Sequence, residues 1–209
     1  MAGAAAARSL WRVEGLFRAP RVVGSAIEVG DTAVFSWLTG SGWEVVTAGA
    51  KSGCVRFDLA DPGKRTVVAV GRVIAVAGSP TGSAFATLEE HWAEARGVVR
   101  IHRPGNARTP IRLRTDDAAD GRCSMVEWAA DGRRLLTVAF DGFNGQARVT
   151  MWDATTGRRI TSAAAGRRRI TAVCTAPGER IVLGDEIGRL RVLDGALATV
   201  AVRHGLGSA

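Results

Sequence analysis

One strand-like run recurs four times in this chain, and that periodicity restricts the fold more than any single residue does. The copies are GCVRFD (Gly53–Asp58), GVVRIH (Gly97–His102), ARVTMWD (Ala147–Asp153) and GRLRVLD (Gly188–Asp194). Aligned on their first core aliphatic, Val55, Val99, Val149 and Leu190, they are spaced by 44, 50 and 41 residues. A second feature keeps step upstream, a strand-like run that meets a Gly-containing turn and then a second run. Its copies span Thr32–Gly49, Val73–Leu88, Cys123–Val138 and Ile170–Gly184, with turn glycines Gly42, Gly82, Gly132 and Gly178. A period of about 40–45 residues suits one four-stranded unit of a repeat architecture.

Each unit therefore reads as strand, turn, strand, loop, strand, turn, strand. The fourth strands are the least distinct: Lys64–Val70, Thr109–Arg114, Arg158–Ala163 and Leu197–Arg203. Val149 and Met151 alternate with polar neighbours, which puts them on one face of a strand. Val73–Ala77 is almost wholly apolar, as a strand packed on both faces would be.

These units resemble WD repeats, most closely in VEWAADGRRLLTVAFDG, ARVTMWDATTGRRI and ITAVCTAPGERIVLGDEIGRLRVLD. The resemblance covers roughly Asp31 to His204. It implies an all-β fold, a β-propeller-like array of about four four-stranded antiparallel blades at 31–71, 72–115, 121–166 and 167–204. Residues 1–30 form a leader, either partly disordered or supplying an extra strand from Ser9–Ile27, and 205–209 a tail. In the family's frame Trp152 packs between blades and Asp153 opens the following turn. The same site falls on Leu193-Asp194 in the fourth copy, His102-Arg103 in the second and Asp58-Leu59 in the first. Asp185 resembles the family's hairpin Asp, and Thr47, Thr87 and Thr137 its second-strand Ser/Thr. The family's Gly-His pair is missing from every unit, so its buried hydrogen-bond network is expected to be incomplete and apolar packing to carry more of the stability. Four blades are fewer than closed WD propellers use. An open arc leaves terminal apolar faces bare, so the array is expected to be an incomplete or partner-completed ring.

Sites of chemistry are few. His91, His102 and His204 stand far from one another and from Cys54, Cys123 and Cys174. No C-x-x-C or H-E-x-x-H spacing suggests a metal, and the three cysteines read as buried free thiols of a reducing compartment. Asp116, Asp117 and Asp120 lack the closing Glu of a calcium loop and read as an acidic connection. Glu127 is the sole acid in the innermost runs, thin equipment for acid–base catalysis. No catalytic set, metal or cofactor is expected.

The function expected is a non-catalytic protein–protein interaction scaffold with recognition loops on two faces. Trp92, Glu89 and Glu90 fall in a long second-to-third-strand loop, Glu89–Arg96, on the same face as the loop Asp141–Gln146. Arg167, Arg168 and Arg169 fall in a connection expected on the opposite face, suited to an acidic peptide through bidentate pairing. Trp37, Trp128 and Trp152 read as core; Trp43 and Trp92 fall near turns or loops, and Trp92 is the best candidate for a binding anchor, against core or loop packing as the reading preferred for it. The net charge of +8 offers an alternative, nucleic-acid binding, which would weaken steeply with salt, and a propeller enzyme is the third reading. The charge is mostly scattered arginine, since Lys51 and Lys64 are the only lysines. Expected partners are a protein or acidic peptide, a second copy or a second propeller fragment, and no membrane, since no apolar stretch approaches a span. A cytoplasmic location is expected, with organelle targeting through the Ala/Arg-rich leader as the alternative.

Overall fold

The computed structural model describes residues 9–14, 21–28, 33–38, 44–49, 53–58, 65–69, 72–82, 84–91, 96–103, 109–115, 122–141, 144–176 and 178–204. Gly42, Trp43, Trp92, Asp116, Asp117 and Asp120, leader residues 1–8 and the tail 205–209 lie outside them. Strands β1 (Ser9–Glu14) and β2 (Arg21–Glu28) form an antiparallel hairpin. Four antiparallel sheets of four strands follow, each in chain order. Blade 1 is β3 (Ala33–Leu38), β4 (Glu44–Gly49), β5 (Gly53–Asp58) and β6 (Arg65–Ala69). Blade 2 is β7 (Arg72–Gly78), β8 (Phe85–His91), β9 (Arg96–His102) and β10 (Ile111–Arg112). Blade 3 is β11 (Arg122–Trp128), β12 (Arg134–Asp141), β13 (Gln146–Asp153) and β14 (Arg159–Gly166). Blade 4 is β15 (Ile170–Ala176), β16 (Arg180–Asp185), β17 (Leu190–Leu193) and β18 (Thr199–Arg203). The first strands β3, β7, β11 and β15 lie successively side by side. This is a β-propeller-like array.

The blades cohere because alternation gives each sheet two apolar faces. One, the N-side face, meets the preceding blade and the other, the C-side face, meets the next. Ala86, Leu88, Val99 and Ile101 on the C-side of blade 2 share a core with Val126, Trp128, Leu135 and Trp152 of blade 3. Leu136, Val138, Val149 and Met151 on the C-side of blade 3 share one with Ile170, Ile181, Leu183 and Leu193 of blade 4. Cys54, Val73 and Phe85 join blades 1 and 2. Each fully buried large side chain here contributes about 1.5–3 kcal/mol. Polar ties cross the same junctions. Trp128 Nε1 donates to Ala77 O at 2.9 Å, Thr175 Oγ1 to Trp128 O at 2.9 Å, and Arg103 Nη2 to Ala154 O at 2.6 Å. Trp128 and Trp152 are both buried. In blades 2 and 3 the turns between first and second strands are tight, with Gly82 N–H donating to Ser79 O and Gly132 N–H to Ala129 O, and Gly132 (φ +65°) closes the one in blade 3. A Cβ there would stand 2.7 Å from Thr81 Cγ2 in the turn of blade 2.

Five details differ from the reading of the sequence. In blade 1 the register pairs Val45 with Phe57 and Glu44 with Asp58, as blade 3 pairs Leu135 with Trp152 and Arg134 with Asp153. The site therefore falls on Phe57-Asp58, not Asp58-Leu59. The buried counterpart of Val149 is Cys54, not Val55, and a one-residue slip exchanges the faces of a strand. Second, Glu89 and Glu90 do not lie in a loop. β8 runs on to His91, and Glu89 and Glu90 pair with Val98 and Gly97 of β9. Their charges are met by arginines, Glu89 by Arg100 and Glu90 by Arg72 and Arg122, which lets carboxylates stay in a sheet. Third, β10 is only Ile111–Arg112, because Pro110 before it has no N–H to give the ladder. Fourth, Cys54 and Cys123 are buried but Cys174 is exposed.

The fifth concerns the two faces of the array. Alternating strand direction brings second-to-third-strand loops and the connections between blades to one end, not to opposite ends. Asp141 pairs with Gln146 and Ala147 with Gly166 at that end, and Glu186 N–H donates to Arg169 O at 3.0 Å. Arg167–Arg169 therefore share a face with the loop that follows Asp141.

Gly97 lets β9 come close to blade 3. A Cβ there would meet Leu88 Cδ1 at 2.8 Å and Cys123 O at 2.9 Å. Gly97→Ala is expected to cost about 1–3 kcal/mol through overpacking, read as a lower urea midpoint at unchanged m-value. An unshifted midpoint would show that the junction has slack.

Candidate functional site

Chemistry at the blade junctions begins with one geometric motif. The ring at the end of a third strand lies diagonal to the second-strand threonine two residues in. In blade 3 Trp152 Nε1 donates to Thr137 Oγ1 at 2.9 Å, both buried. Asp153 then accepts at one oxygen from Thr155 N–H (2.9 Å), Thr156 N–H (2.7 Å) and the Thr156 hydroxyl (2.8 Å). The bonds from Thr156 hold its carboxyl below the ordinary carboxylate range. Asp194 does the same for Ala196 and Ala198, and Asp185 for Ile187 and Arg189. These are local Asp-capped turns. Leu193, in the position of Trp152, has no ring nitrogen and is simply buried. Trp152, Asp153, Leu193, Asp194 and Asp185 thus hold the backbone in place.

Blade 2 builds the same motif from other groups. His102 stacks on Phe85 with ring centroids 4.8 Å apart, and its Nε2 lies 2.9 Å from Thr87 Oγ1. Thr87 spends its single proton on Glu89 Oε1 at 3.0 Å. His102 must then be the donor, as Trp152 is in blade 3, which fixes the Nε2–H tautomer. Arg100 closes the chain on Glu89. Burial, with Arg100 adding to it, pushes His102 down to about 4, so the ring is neutral. Burial and neighbouring Arg112 also lower Arg100. A missing Gly-His pair therefore does not leave blade 2 to apolar packing alone: Glu89 and Arg100 complete a buried polar chain. Glu89 is buried by this chain, which withdraws it from any surface role.

A cleft among the described residues lies nearby. Blades 2 and 3 part at their outer strands into a cleft of about 560 Å³ lined by Arg112, Arg114, Arg158 and Arg159, with Trp152, Thr156 and Gly157. All four arginines are exposed. Arg112 comes from β10, Arg114 two residues on, Arg158 from the end of the turn that Asp153 caps and Arg159 from the start of β14. Gly157 keeps the walls close, since a Cβ on it would meet Ile111 Cγ2 at 2.5 Å. The arrangement concentrates positive potential where planar guanidinium groups can grip carboxylates or phosphates in pairs. Reading the sequence missed it because the four residues belong to two repeats and meet only across a junction. The signal was there in Arg112 and Arg114 alternating beside a weak outer strand.

Other groups singled out in the sequence do not join this cleft. Arg167, Arg168 and Arg169 are exposed on the connection before β15. Glu90 is nearly buried between Arg72 and Arg122. Glu127 is raised by burial and accepts its neighbour's N–H, from Trp128, at 3.1 Å. Among the described residues no group of three or more His, Cys, Asp and Glu side chains could hold a metal ion.

No family model and no curated protein matches the chain. Solved structures do. The chain is similar to a chain of hydrazine synthase from Kuenenia stuttgartiensis, with a TM-score of 0.68 and 15% identity over 87% of this chain. The match spans little more than half, 56%, of that chain. That neighbour is an enzyme, and at this identity the likeness shows a shared β-propeller-like fold alone.

Two outcomes test the junction chemistry. The pKa of His102 in the folded chain lies below its ordinary 6.5, so folding favours the neutral ring. Its contribution is complete above pH 6.5 and lost as pH falls toward 4. Between pH 7 and pH 5 the wild type should lose about 2 kcal/mol more than His102→Phe, read from urea midpoints. Equal losses would show that the ring is protonated without cost. Thr137→Val should cost about 1–3 kcal/mol by leaving the Trp152 N–H buried without an acceptor. A midpoint within 0.5 kcal/mol of wild type, on the scale expected of an ordinary surface substitution, would show that the bond is dispensable.

Proposed function

We propose that this protein is a non-catalytic interaction scaffold of the WD-repeat type whose arginine cleft receives an acidic peptide. The observation that carries the reading is the convergence of Arg112, Arg114, Arg158 and Arg159 on one cleft between two packed sheets. Recognition needs side chains held by a scaffold that does not move when the ligand arrives. Thr156 and Gly157 hang on the Asp153 cap, and Arg158 and Arg159 follow directly. The non-catalytic part rests on where the buried polar groups point. Thr87, Glu89, Arg100 and His102 are engaged with one another inside the sheet, not aimed into the cleft. A chain of +8 net charge attracts acidic partners at long range as well. Arg167–Arg169, exposed at the other end, offer a second basic contact.

The test is fluorescence anisotropy with a labelled hexaglutamate peptide and a hexaglutamine control, each against wild type and Arg114→Ser/Arg158→Ser. The wild type should bind hexaglutamate alone, and the double variant should bind it at least about tenfold more weakly, a loss of about 1.4 kcal/mol or more. A labelled single-stranded oligonucleotide run over a salt series separates the nucleic-acid alternative, because each phosphate contact adds to the slope of log K against log salt. Tighter binding of the oligonucleotide with a steep slope, or equal binding of peptide by wild type and variant, would sink the peptide reading.

A further inference from the structure

Blade 3 ends outward on β14, and among the described residues no strand pairs with its far edge. Every second residue of an edge strand turns its N–H and C=O away from the sheet. Proteins usually blunt such an edge by keeping it short, charging it or placing proline in it. The other outer strands here follow that rule. β10 has 2 residues and follows Pro110, β6 has 5 and begins on Arg65, and β18 has 5 and ends on Arg203. β14 has 8 residues, and from Ile160 to Ala165 it carries neither charge nor proline. Bulges at Ile160 and Ala165 bracket its middle, where Thr161–Ala164 pair without a shift with Met151–Arg148. Side chains there leave room for a neighbour. Ala163 and Ala164 are small, and the Ser162 hydroxyl is turned back toward β13, donating to Val149 O at 3.4 Å and lying 3.0 Å from Thr150 Oγ1.

Arginines stand at both ends of this edge. Arg159 opens β14 and Arg158 precedes it, and both line the cleft with Arg112 and Arg114. Arg167, Arg168 and Arg169 follow its last residue, Gly166, and are exposed. A strand of 8 residues, rising about 3.3 Å at each, sets the two groups about 26 Å apart. That pattern decides what fits the edge. A second copy pairing β14 with β14 would set arginines against arginines in either direction, and like charges opposite one another destabilise a strand pair. Nucleic acid satisfies arginine but has no chain of amide N–H and carbonyl groups to extend the ladder.

We propose that an extended peptide with acidic residues at both ends adds to blade 3 as a fifth strand along β14. One end sits in the arginine cleft and the other against Arg167–Arg169. Main-chain hydrogen bonds supply affinity in such strand addition, and here the two basic ends set the length of peptide that fits. The inference rests on the acidic-peptide reading and deepens it, because the cleft becomes one end of a longer site.

Fluorescence anisotropy on the whole chain separates strand addition from charge alone. The probes are labelled Glu-Glu-Thr-Val-Thr-Val-Thr-Val-Glu-Glu, a counterpart with six prolines between the same glutamates, and hexaglutamate. The proline peptide stays extended at about 3.1 Å per residue but has no central N–H to offer. The threonine–valine peptide should bind at least about tenfold more tightly than the proline peptide. Arg167→Ser/Arg168→Ser/Arg169→Ser, its fold checked by circular dichroism, should weaken the threonine–valine peptide at least about fivefold and leave hexaglutamate within about twofold. Hydrogen exchange followed by NMR should show alternate amides among Thr161–Ala164 slowed by the threonine–valine peptide and untouched by the proline peptide. Equal affinity for those two peptides, or exchange in β14 that neither changes, would overturn strand addition, and hexaglutamate bound as before would leave the cleft reading standing. Failure of all three peptides to bind would overturn both readings. Protection of β14 that rises with protein concentration in the absence of peptide would give the edge to a second copy and overturn the proposal.

Discussion

A four-stranded sheet with an apolar residue set on both faces cannot be buried by itself, and everything in this molecule follows from that constraint. Blade 3 shows it most fully. Leu135 and Trp152 look one way, Leu136, Val138, Val149 and Met151 the other, and each set is enclosed only because a neighbouring sheet lies against it. The sheets are held at one spacing by contacts that admit little adjustment, such as Gly97 against Cys123 O. The clefts that open at the outer strands are consequences of the same geometry. Sheets that touch along their inner strands part at their outer ones, and between blades 2 and 3 arginines line that gap.

Within the junctions a single position is filled in two chemically different ways. A ring N–H donates to a second-strand threonine hydroxyl in both blade 2 and blade 3, but the ring is an imidazole in one and an indole in the other. The substitution has a structural cost that blade 2 meets with further polar groups. Histidine is smaller and more polar than tryptophan; Phe85 stacks on the neutral ring, and Glu89, paired with Arg100, accepts the Thr87 proton so that the ring N–H can donate to Thr87. Blade 3 has Ala139 where blade 2 has Glu89 and ends its hydrogen-bond chain at the threonine. Local divergence of sequence is therefore compatible with one backbone, because in both blades the buried ring N–H finds the same threonine acceptor.

Much of the fold was legible in the sequence because its signal is periodic. Spacing and turn glycines located four four-stranded units, and Gly82, Gly132 and Gly178 do stand at positive φ in their turns. Register was less legible. In blade 1 a valine next to a cysteine invited alignment on the wrong one, since nothing local says that Cys54 is the buried residue. Charge misled at Glu89 and Glu90, because a carboxylate reads as solvent-facing until its arginine is seen across the sheet. The arginine cleft was hidden for a related reason. It is assembled from Arg112 and Arg114 of one repeat and Arg158 and Arg159 of the next, and a repeat read one copy at a time contains no information about what its neighbour places beside it.

The ties that cross the inner strands also give the array a mechanical direction. Ala77 O accepts from the Trp128 indole, and Trp128 O accepts from the Thr175 hydroxyl, so three successive blades are laced near their inner edge. The outer edge has a different attachment. β18 is held to blade 4 along one side by its ladder with β17, and Val200 and Val202 are exposed. Tension applied at Arg203 loads those ladder bonds one after another, as a zipper is opened. The laced inner strands share load in parallel. The molecule is thus compliant at its rim and stiff at its hub.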